Sequence, residues 1–279
     1  MNERSWLITG ISSGLGRAMA EELLTRGERI AGTYRKAGTL SGLKSRFGDR
    51  LWLMELDVTD TASMRDVVDA AFRDLGRIDV VVSNAGYGIL GAAEELSDAE
   101  IDRQIATNLT GSIQFVRAVT PHLREQGGGR IIQISTMGGL ATFPGGSLYH
   151  ASKWGIEGFM ESVRHELAPF NIAVTIAEPG STATNFGHNL VVADPLDAYA
   201  DGPLGQMRAF FGSGTYRSPG DALKTVKAII ATADQTSPPL RLATGSDAYN
   251  AVHAALTARL AELDAQKSVS FSTDADSPI

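Results

Sequence analysis

Short apolar runs alternate with helix-forming segments along most of this chain, and this alternation limits its possible folds more than any other feature. The predicted strands are WLIT, RIAGTY, LWLMELDV, DVVVSNAG, GRIIQIS and IAVTIAEPG, followed later by PPLRLATG. Amphipathic stretches lie between them at 61–75, 98–125 and 148–169. Such alternation predicts βαβ units and a parallel sheet. Because the apolar runs lack regular polar alternation, helices should cover both faces. We therefore expect an α/β fold with a doubly wound, mostly parallel, seven-stranded sheet.

The 279 residues fit one large α/β domain, since no repeat or linker divides them. Further helices are predicted at about 219–233 and 246–264. The irregular segment 185–218 is rich in Gly, Pro and Asp but carries many large apolar side chains. We expect it to pack over the domain as a lid or substrate loop. The polar tail, about 266–279, has few groups that could pack and is expected to be loosely ordered.

Composition and charge exclude several classes of function. The net charge is −7, and no basic cluster could form the positive field that a nucleic acid or an anionic membrane requires. The chain has no cysteine, and its five histidines show no metal-ligand spacing, so we expect no disulfide and no metal site. Its N-terminal apolar run is too short for a signal peptide, and no later stretch could cross a bilayer. These features predict a soluble, cytoplasmic protein that binds neither nucleic acid nor membrane.

A glycine-rich segment, TGISSGLG, joins the first predicted strand to the first predicted helix. Its glycines, Gly10, Gly14 and Gly16, would let the chain turn sharply and bring backbone N–H groups close to a ligand. The N-terminus of the following helix favours a bound anion such as a pyrophosphate. In this strand–turn–helix context the segment predicts a dinucleotide site rather than a plain turn.

The spacing of these glycines and five further motifs in the same order resemble the short-chain dehydrogenase/reductase family. The motifs are LDV at 56–58, NAG at 84–86, NLTG at 108–111, Tyr149-x-x-x-Lys153 and PG at 179–180. The resemblance covers about residues 4–245. The segments PGSTATNF and LRLATGSDA also resemble the 17β-hydroxysteroid-dehydrogenase-like branch. The resemblance implies a compact single-domain Rossmann fold, a nicotinamide cofactor and redox chemistry at CH–OH groups.

The resemblance also implies which residues contact the cofactor. Asp57 and Val58 would contact the adenine, residues 84–86 would line the ribose, and Thr182 and Thr184 would face the nicotinamide amide. The full expected set is Gly10, Ser12, Ser13, Gly14, Leu15, Gly16, Arg35, Asp57, Val58, Asn84, Ala85, Gly86, Tyr149, Lys153, Pro179, Gly180, Thr182 and Thr184.

The second predicted strand carries the signal for cofactor preference. In a Rossmann site an acidic residue about 20 positions beyond the glycines usually holds the ribose hydroxyls. No Asp or Glu occurs between Glu28 and Asp49, and Arg35 and Lys36 stand where the acid would be. Arg35 can pair with a 2′-phosphate, so NADP(H) is predicted over NAD(H). The alternative is that both residues are solvated surface charges.

Tyr149 and Lys153 are four residues apart in a predicted helix and therefore share one helix face. A tyrosine with an ordinary pKa of about 10 gives up its proton poorly near neutrality. A cation about 4 Å away supplies about 4 kcal/mol at an effective dielectric near 20, enough to lower that pKa by about three. The pair therefore predicts that Lys153 makes Tyr149 a general acid/base. The alternative is a half-buried tyrosine beside a lysine that extends to solvent.

The family uses a serine thirteen residues before the tyrosine to hydrogen-bond the substrate oxygen, and this chain departs from that pattern. Counting back from Tyr149 gives Thr136, with Ser135 next to it. Threonine keeps the hydroxyl, although its methyl group restricts the rotamer. We favour Thr136 for this role, with Ser135 as the alternative. By resemblance, Asn108 kinks the helix at 98–125 and holds a water linked to Lys153.

These features predict an NADP(H)-dependent enzyme that interconverts a hydrophobic ketone or aldehyde and the corresponding alcohol. The lid, with Leu90, Met137, Leu140 and Phe143, would form an apolar wall for such a substrate. One alternative is a catalytically silent NADP-binding sensor or scaffold on the same fold. Another is an epimerase or dehydratase that uses its cofactor transiently. By resemblance, the two long helices would pair subunits into a homodimer or a homotetramer.

Overall fold

A seven-stranded sheet forms the centre of the computed structural model, which describes residues 3–35, 40–184, 186–187, 190–214 and 216–275. Every pairing within this sheet is parallel, in the order β3-β2-β1-β4-β6-β7-β9. The predicted seven-stranded α/β architecture is therefore confirmed. The strands are β1 Ser5–Ile8, β2 Arg29–Tyr34, β3 Leu51–Glu55, β4 Val80–Ser83, β6 Gly129–Ile134, β7 Ile172–Pro179 and β9 Arg241–Thr244. A separate two-stranded sheet pairs β5 Ile89–Leu90 with β8 Val191–Val192.

Helices cover both faces of the large sheet, as its apolar strands require. On one face the core includes Met64 of α3, Phe115 of α5 and Met160 of α6, and on the other it includes Leu23 of α1 and Ile229 of α8. The helices are α1 Gly14–Thr25, α2 Ser41–Phe47, α3 Thr61–Leu75, α4 Asp98–Ile105, α5 Gly111–Glu125, α6 Ser147–Leu167, α7 Pro203–Gly212, α8 Ala222–Thr232, α9 Ser246–Ala265 and α10 Lys267–Ser272. The doubly wound arrangement is thus present in the packing as well as in the strand order.

The strand order reverses between β1 and β4, and this point locates the cleft. From β1 the chain proceeds to β2 on one side and later returns to β4 on the other. In open α/β sheets, ligands bind outside the carboxyl ends of the strands at such a switch point. The glycine turn follows β1, and the NAG segment at 84–86 follows β4. Both sequence motifs therefore meet at the same edge of the sheet.

The irregular segment 185–218 contains more regular structure than its composition indicates. It includes β8 and the helix α7, whose Leu204 is buried. A Cβ at Gly145 would lie 2.5 Å from the Leu204 side chain, so α7 packs closely on the loop before α6. Part of the predicted polar tail forms the exposed helix α10, Lys267–Ser272, rather than irregular chain.

A buried carboxylate holds the lid segment to the body of the domain. The Glu95 side chain is fully buried and pairs with Arg208 of α7 at 3.0 and 2.5 Å. It also accepts hydrogen bonds from the backbone N–H groups of Ala92 at 2.6 Å and Leu196 at 2.8 Å. The hydrogen bonds from Arg208 lower the pKa of Glu95 to about 2 against the opposing effect of burial. Because charge-assisted hydrogen bonds of this kind are strong, Glu95 fixes α7 and the loop before it together.

We expect Glu95→Ala to loosen the lid without unfolding the domain. Limited proteolysis within 190–214 should become at least about tenfold faster, because the change leaves Arg208 without its partner. Glu94→Ala is the matched control, since Glu94 is exposed and accepts one hydrogen bond, from Tyr199 at 2.6 Å. In the native protein the ionised Glu95 contributes its full stabilisation above pH 4.5 and loses it as the pH falls toward 2. Equal cleavage rates for the two variants would contradict this role of Glu95.

Candidate active site

The glycine turn has the backbone geometry that its sequence predicts. Gly10 and Gly14 have φ values of +74° and +60°, in the left-handed region that favours glycine. A Cβ at Gly16 would lie 2.4 Å from the side chain of Asn84 and from the carbonyl of Gly10. A Cβ at Gly14, by contrast, would meet nothing within 4 Å, so the turn faces open space. Helix α1 begins at Gly14, and its N-cap Ser13 makes no side-chain hydrogen bond to the first turn.

The turn is fastened to the end of β4 by Asn84 and Thr9. The Asn84 amide donates to the carbonyls of Thr9 at 2.8 Å and Gly10 at 3.0 Å. In return, the Thr9 hydroxyl accepts from the backbone N–H groups of Asn84 at 2.9 Å and Ala85 at 3.0 Å. The Asn84 side chain is thus committed to the shape of the turn. With open space before α1 and N–H groups at its start, the turn fits the phosphates of a dinucleotide.

Three charged side chains lie at the outer end of the cleft, beyond β2 and β3. Arg35 is exposed, and its charge and that of Arg103 both lower the pKa of Asp57. Burial raises the pKa of Asp57, but hydrogen bonds from Thr59 and, to a smaller extent, the two arginine charges lower it, so the net direction is down. Arg103 of α4 approaches Asp57 at 3.8 Å and was not predicted from the sequence, because nothing in its local pattern marks it. Lys36 lies outside the described residues.

Tyr149 and Lys153 lie on one face of α6, as their spacing predicts. The Lys153 ammonium lies 5.9 Å from the centre of the Tyr149 ring and donates to the Ile134 carbonyl at 3.0 Å. Burial raises the pKa of Tyr149, and a hydrogen bond with Thr136 lowers it in part. Burial also lowers the pKa of Lys153 to about 8, against the opposing charge of Glu157. The predicted fall in the pKa of Tyr149 is therefore not found, because the effect of burial exceeds that of the interaction with Thr136.

The two candidate hydroxyls at the end of β6 have different partners. Thr136 lies close enough to the Tyr149 side chain to lower the pKa of that phenol in part, and its hydroxyl donates to the Pro179 carbonyl at 3.3 Å. Ser135 is buried, and its hydroxyl donates to the carboxylate of Glu157. Thr136 is thus the hydroxyl that lies beside Tyr149.

Asn108 occupies a single π-helical turn, Ala106–Thr110, that joins α4 to α5. Its fully buried side chain accepts from the Tyr87 N–H at 3.1 Å and donates to the Tyr87 carbonyl at 2.8 Å and the Ser152 hydroxyl at 3.2 Å. π-Turns of this kind occur frequently at functional sites. A Cβ at Gly86 would lie 3.2 Å from the side-chain Oδ1 atom of Asn108 and 3.8 Å from the Lys153 ammonium. The NAG segment, Asn108 and Lys153 are therefore close neighbours.

The loop after β7 is held by Asp247, in the first turn of α9. Asp247 accepts from the N–H of Ser181 at 2.7 Å, and a Cβ at Gly180 would lie 2.2 Å from its carboxylate. Thr182 donates its hydroxyl to the Gly180 carbonyl at 3.1 Å, while the Thr184 hydroxyl accepts from the Phe186 N–H at 3.2 Å. Sequence reasoning missed Asp247, because it lies more than sixty residues beyond the loop that it holds.

The remaining expected cofactor residues line the same edge. Val58 is buried, and its carbonyl oxygen would lie 2.8 Å from a Cβ at Gly111. Leu15 packs partly buried against the core, and Ser12 lies in the glycine turn. On the lid side, the ring of Phe186 lies 6.0 Å from that of Tyr149. An aromatic ring of the lid segment therefore lies next to Tyr149.

Comparison with known proteins identifies the family. A family model described as short chain dehydrogenase matches residues 4–194. The chain belongs to this family. A short-chain dehydrogenase of Streptomyces avermitilis has a similar structure, with a TM-score of 0.91, 37% identity, and coverage of 98% of this chain and 100% of that one. Oxidoreductase BOA17 of Botryotinia fuckeliana is 35% identical over 248 residues, covering 87% of this chain and 89% of that protein.

Human retinol dehydrogenase 8 is 32% identical over 256 residues, covering 85% of this chain and 80% of that protein. This similarity agrees with the predicted 17β-hydroxysteroid-dehydrogenase-like branch. The short-chain dehydrogenase described here is accordingly an oxidoreductase that acts on CH–OH groups. Within its described residues, no three His, Asp or Glu side chains are grouped to hold a metal ion. None of the described helices is both long enough and apolar enough to cross a membrane.

We expect Asn84→Ala to destabilise the glycine turn. Two carbonyl acceptors would lose their donors, which should lower the free energy of unfolding by about 1–3 kcal/mol. Chemical denaturation measures this difference. Asn250→Ala on the exposed face of α9 is the control and should change stability by no more than about 0.5 kcal/mol. A change at position 84 as small as that of the control would show that the clamp is unimportant.

Proposed function

We propose that this short-chain dehydrogenase uses NADP(H) to interconvert a hydrophobic ketone or aldehyde and the corresponding alcohol. The observation that carries the proposal is that Tyr149 and Lys153 share one face of α6, with the Lys153 ammonium 5.9 Å from the centre of the Tyr149 ring and Thr136 beside the phenol. These groups lie beside the loop at Gly86, close to the glycine turn. A phenol, a second hydroxyl and a cation at one end of the cleft support this proposal.

The glycine turn, Asp57, the NAG segment and the loop at 179–184 would hold the cofactor, and the bound nicotinamide would supply or accept the hydride. Tyr149 would exchange the proton of the substrate oxygen. Because burial raises its pKa, Tyr149 is a protonated phenol near neutral pH, which suits proton donation to a carbonyl oxygen. For the reverse reaction the phenol must lose its proton, and the positive charge of Lys153 favours that form.

Thr136 would hold the substrate oxygen together with Tyr149. A hydroxyl that donates to this oxygen stabilises the negative charge that develops on it as the carbonyl is reduced. Asn108 would act by fixing the segment at Tyr87 and the helix at Ser152, one residue before Lys153. This arrangement would keep the lysine in register with the cleft.

The preference for NADP(H) rests on charge at the end of β2. Arg35 is exposed beside Asp57, and no acidic residue occupies the position that usually binds an unmodified ribose. A guanidinium binds phosphate with two parallel hydrogen bonds, so Arg35 suits a 2′-phosphate.

The proposed substrate is hydrophobic because apolar side chains surround the approach to Tyr149. Phe186 lies near the phenol, and the Leu204 side chain of α7 lies beside Leu90 at the loop before α6. Phe143 packs edge-on against His150, the residue after Tyr149, with ring centres 4.3 Å apart. Retinol dehydrogenase 8, a relative named for a hydrophobic alcohol, supports the same substrate class. Assembly as a homodimer or homotetramer, cytoplasmic location and a single domain stay predictions from the sequence.

The proposed function is tested with a panel of ketones, aldehydes and steroids and the absorbance of NADPH. The proposal predicts NADPH oxidation with at least one apolar carbonyl compound. Tight NADPH binding without turnover on any compound would favour the sensor alternative. Product formation without net cofactor consumption would favour the epimerase or dehydratase alternative.

For cofactor choice, Arg35→Ala should raise the KM for NADPH by about tenfold or more and change the KM for NADH little. The reason is that only NADPH carries the 2′-phosphate that the guanidinium would bind. Arg46→Ala, at an exposed arginine in α2, is the control. An unchanged KM for NADPH in Arg35→Ala would contradict the predicted preference.

The two hydroxyls at the end of β6 are separated by Thr136→Ala, Thr136→Ser and Ser135→Ala. Thr136→Ala should lower kcat by about 10²-fold, because one donor to the developing charge is lost. Thr136→Ser should keep most activity, since it retains the hydroxyl. Ser135→Ala should have the smaller effect of a supporting residue. A loss of kcat confined to Ser135→Ala would reverse the assignment.

A further inference from the structure

A buried ionic network lies behind the proposed catalytic residues. Arg241 of β9 contacts Glu157 of α6 at 2.6 Å and Glu178 of β7 at 2.5 Å, both through the same nitrogen. The side chains of both glutamates are only 2% exposed. The Nη2 and Nε atoms of Arg241 reach the half-exposed Glu161 at 2.9 and 3.0 Å, respectively. Two buried carboxylates therefore share one guanidinium.

Each buried carboxylate is next to a segment that the reaction needs. Glu157 lies one helical turn beyond Lys153 and accepts the hydroxyl of Ser135, the residue before Thr136. Glu178 directly precedes Pro179, whose carbonyl accepts the Thr136 hydroxyl at 3.3 Å. The network therefore connects the end of β6, the catalytic face of α6 and the loop after β7.

The Glu157 carboxylate occupies space that is open only because residue 139 is a glycine. A Cβ at Gly139 would lie only 1.7 Å from its carboxylate oxygen and 2.8 Å from the Ser135 hydroxyl. Any larger residue at Gly139 would displace the carboxylate from Ser135. The loop that follows Thr136 is thus shaped around Glu157.

Arg241 faces two buried carboxylates, and Lys153 is a second positive charge one helical turn from Glu157. Arg241 can neutralise one buried carboxylate, and an unpaired buried charge is strongly destabilising. Burial and the charge of Glu157 raise the pKa of Glu178 to about 6. The charge of Glu157 also opposes the burial that lowers the pKa of Lys153. The other titratable neighbour of Lys153 is Tyr149 on the same helix, while Asn108 and Gly86 on the facing segments are uncharged.

We propose that Glu157 is a positioning residue of this enzyme, which holds the Thr136 segment in register with Tyr149 through Ser135 and keeps Lys153 positively charged. The catalytic consequence rests on the proposed function, but the charge coupling between Glu157 and Lys153 does not. Arg241 and Glu178 support this role by fixing the Glu157 carboxylate.

The experiment titrates Lys153 directly by NMR of protein labelled with [13Cε]lysine. The chain has six lysines, and Lys153→Arg assigns the signal. Glu157→Gln keeps the shape of the side chain and removes its charge, so the pKa of Lys153 should fall by about one. Glu161→Gln is the control, because Glu161 is half exposed and lies on the far side of Arg241, and it should leave that pKa unchanged. Glu157→Asp keeps the charge, but its shorter side chain no longer reaches Ser135. The pKa of Lys153 in this variant should therefore stay closer to the wild-type value than in Glu157→Gln.

A second readout is the pH profile of kcat/KM on a substrate from the carbonyl panel. In Glu157→Gln the alkaline limb should move to lower pH by the same amount as the pKa of Lys153. In Glu157→Asp, kcat should fall while the limb stays in place, since register is lost and charge is kept. If Glu157→Gln lowers the pKa of Lys153 but the wild type shows no turnover, the proposed function fails and the charge coupling between Glu157 and Lys153 stands. An unchanged pKa of Lys153 in folded Glu157→Gln overturns the inference. If that variant does not fold, a fall of about one or more in the pKa of Lys153 in Glu157→Asp, which keeps the charge, overturns it instead.

Discussion

The site depends on the register between strand β6 and helix α6. One supplies Thr136, the other supplies Tyr149 and Lys153, and the chemistry requires the three side chains to meet. The pairing of β6 with β7 continues past the strand end, since the Ser135 N–H donates to the Ala177 carbonyl at 2.7 Å. On the helix side, a buried stripe that includes Ile156 and Met160 fixes the rotation of α6 against the sheet. The position of the hydroxyls therefore follows from core packing rather than from the loop between the two elements.

Burial at this register has two opposing consequences. It raises the pKa of Tyr149 and lowers that of Lys153 to about 8, so both side chains are driven toward their neutral forms. The interaction with Thr136 opposes the shift in the pKa of Tyr149, and the charge of Glu157 opposes the shift in the pKa of Lys153. Lys153 consequently still carries its charge at neutral pH, while Tyr149 keeps its proton. The same exclusion of water that makes the cleft suitable for an apolar substrate thus requires dedicated polar partners for both residues.

Much of the fold could be predicted from the sequence because it depends on local patterns. The strands and the glycine turn follow from apolar runs and from residues that tolerate positive φ, and the structure shows both. The choice between Ser135 and Thr136 was harder, because neighbouring residues on a strand point to opposite faces and the phase depends on the sheet. Here Ser135 points to Glu157 and Thr136 to Tyr149.

Other features could not be predicted because they join distant parts of the chain. Helix α7 lies in a segment whose composition indicates a loop, and it is held by Glu95, more than a hundred residues earlier. The upward shift in the pKa of Tyr149 depends on burial, which the spacing to Lys153 does not reveal. Of the buried ionic network, only Glu157 had a local signal, its position four residues after Lys153. Arg241 and Glu178 become its partners only when β7 and β9 pair.

The central claim is that the Tyr149 hydroxyl exchanges the proton of the substrate oxygen, and Tyr149→Phe tests it most directly. The change removes one oxygen atom and keeps the ring. With a carbonyl compound that the native enzyme reduces, single-turnover oxidation of bound NADPH should slow by about 10³-fold, while the Kd for NADPH stays within about threefold of the native value. Reduction at nearly the native rate by the phenylalanine variant would contradict the account.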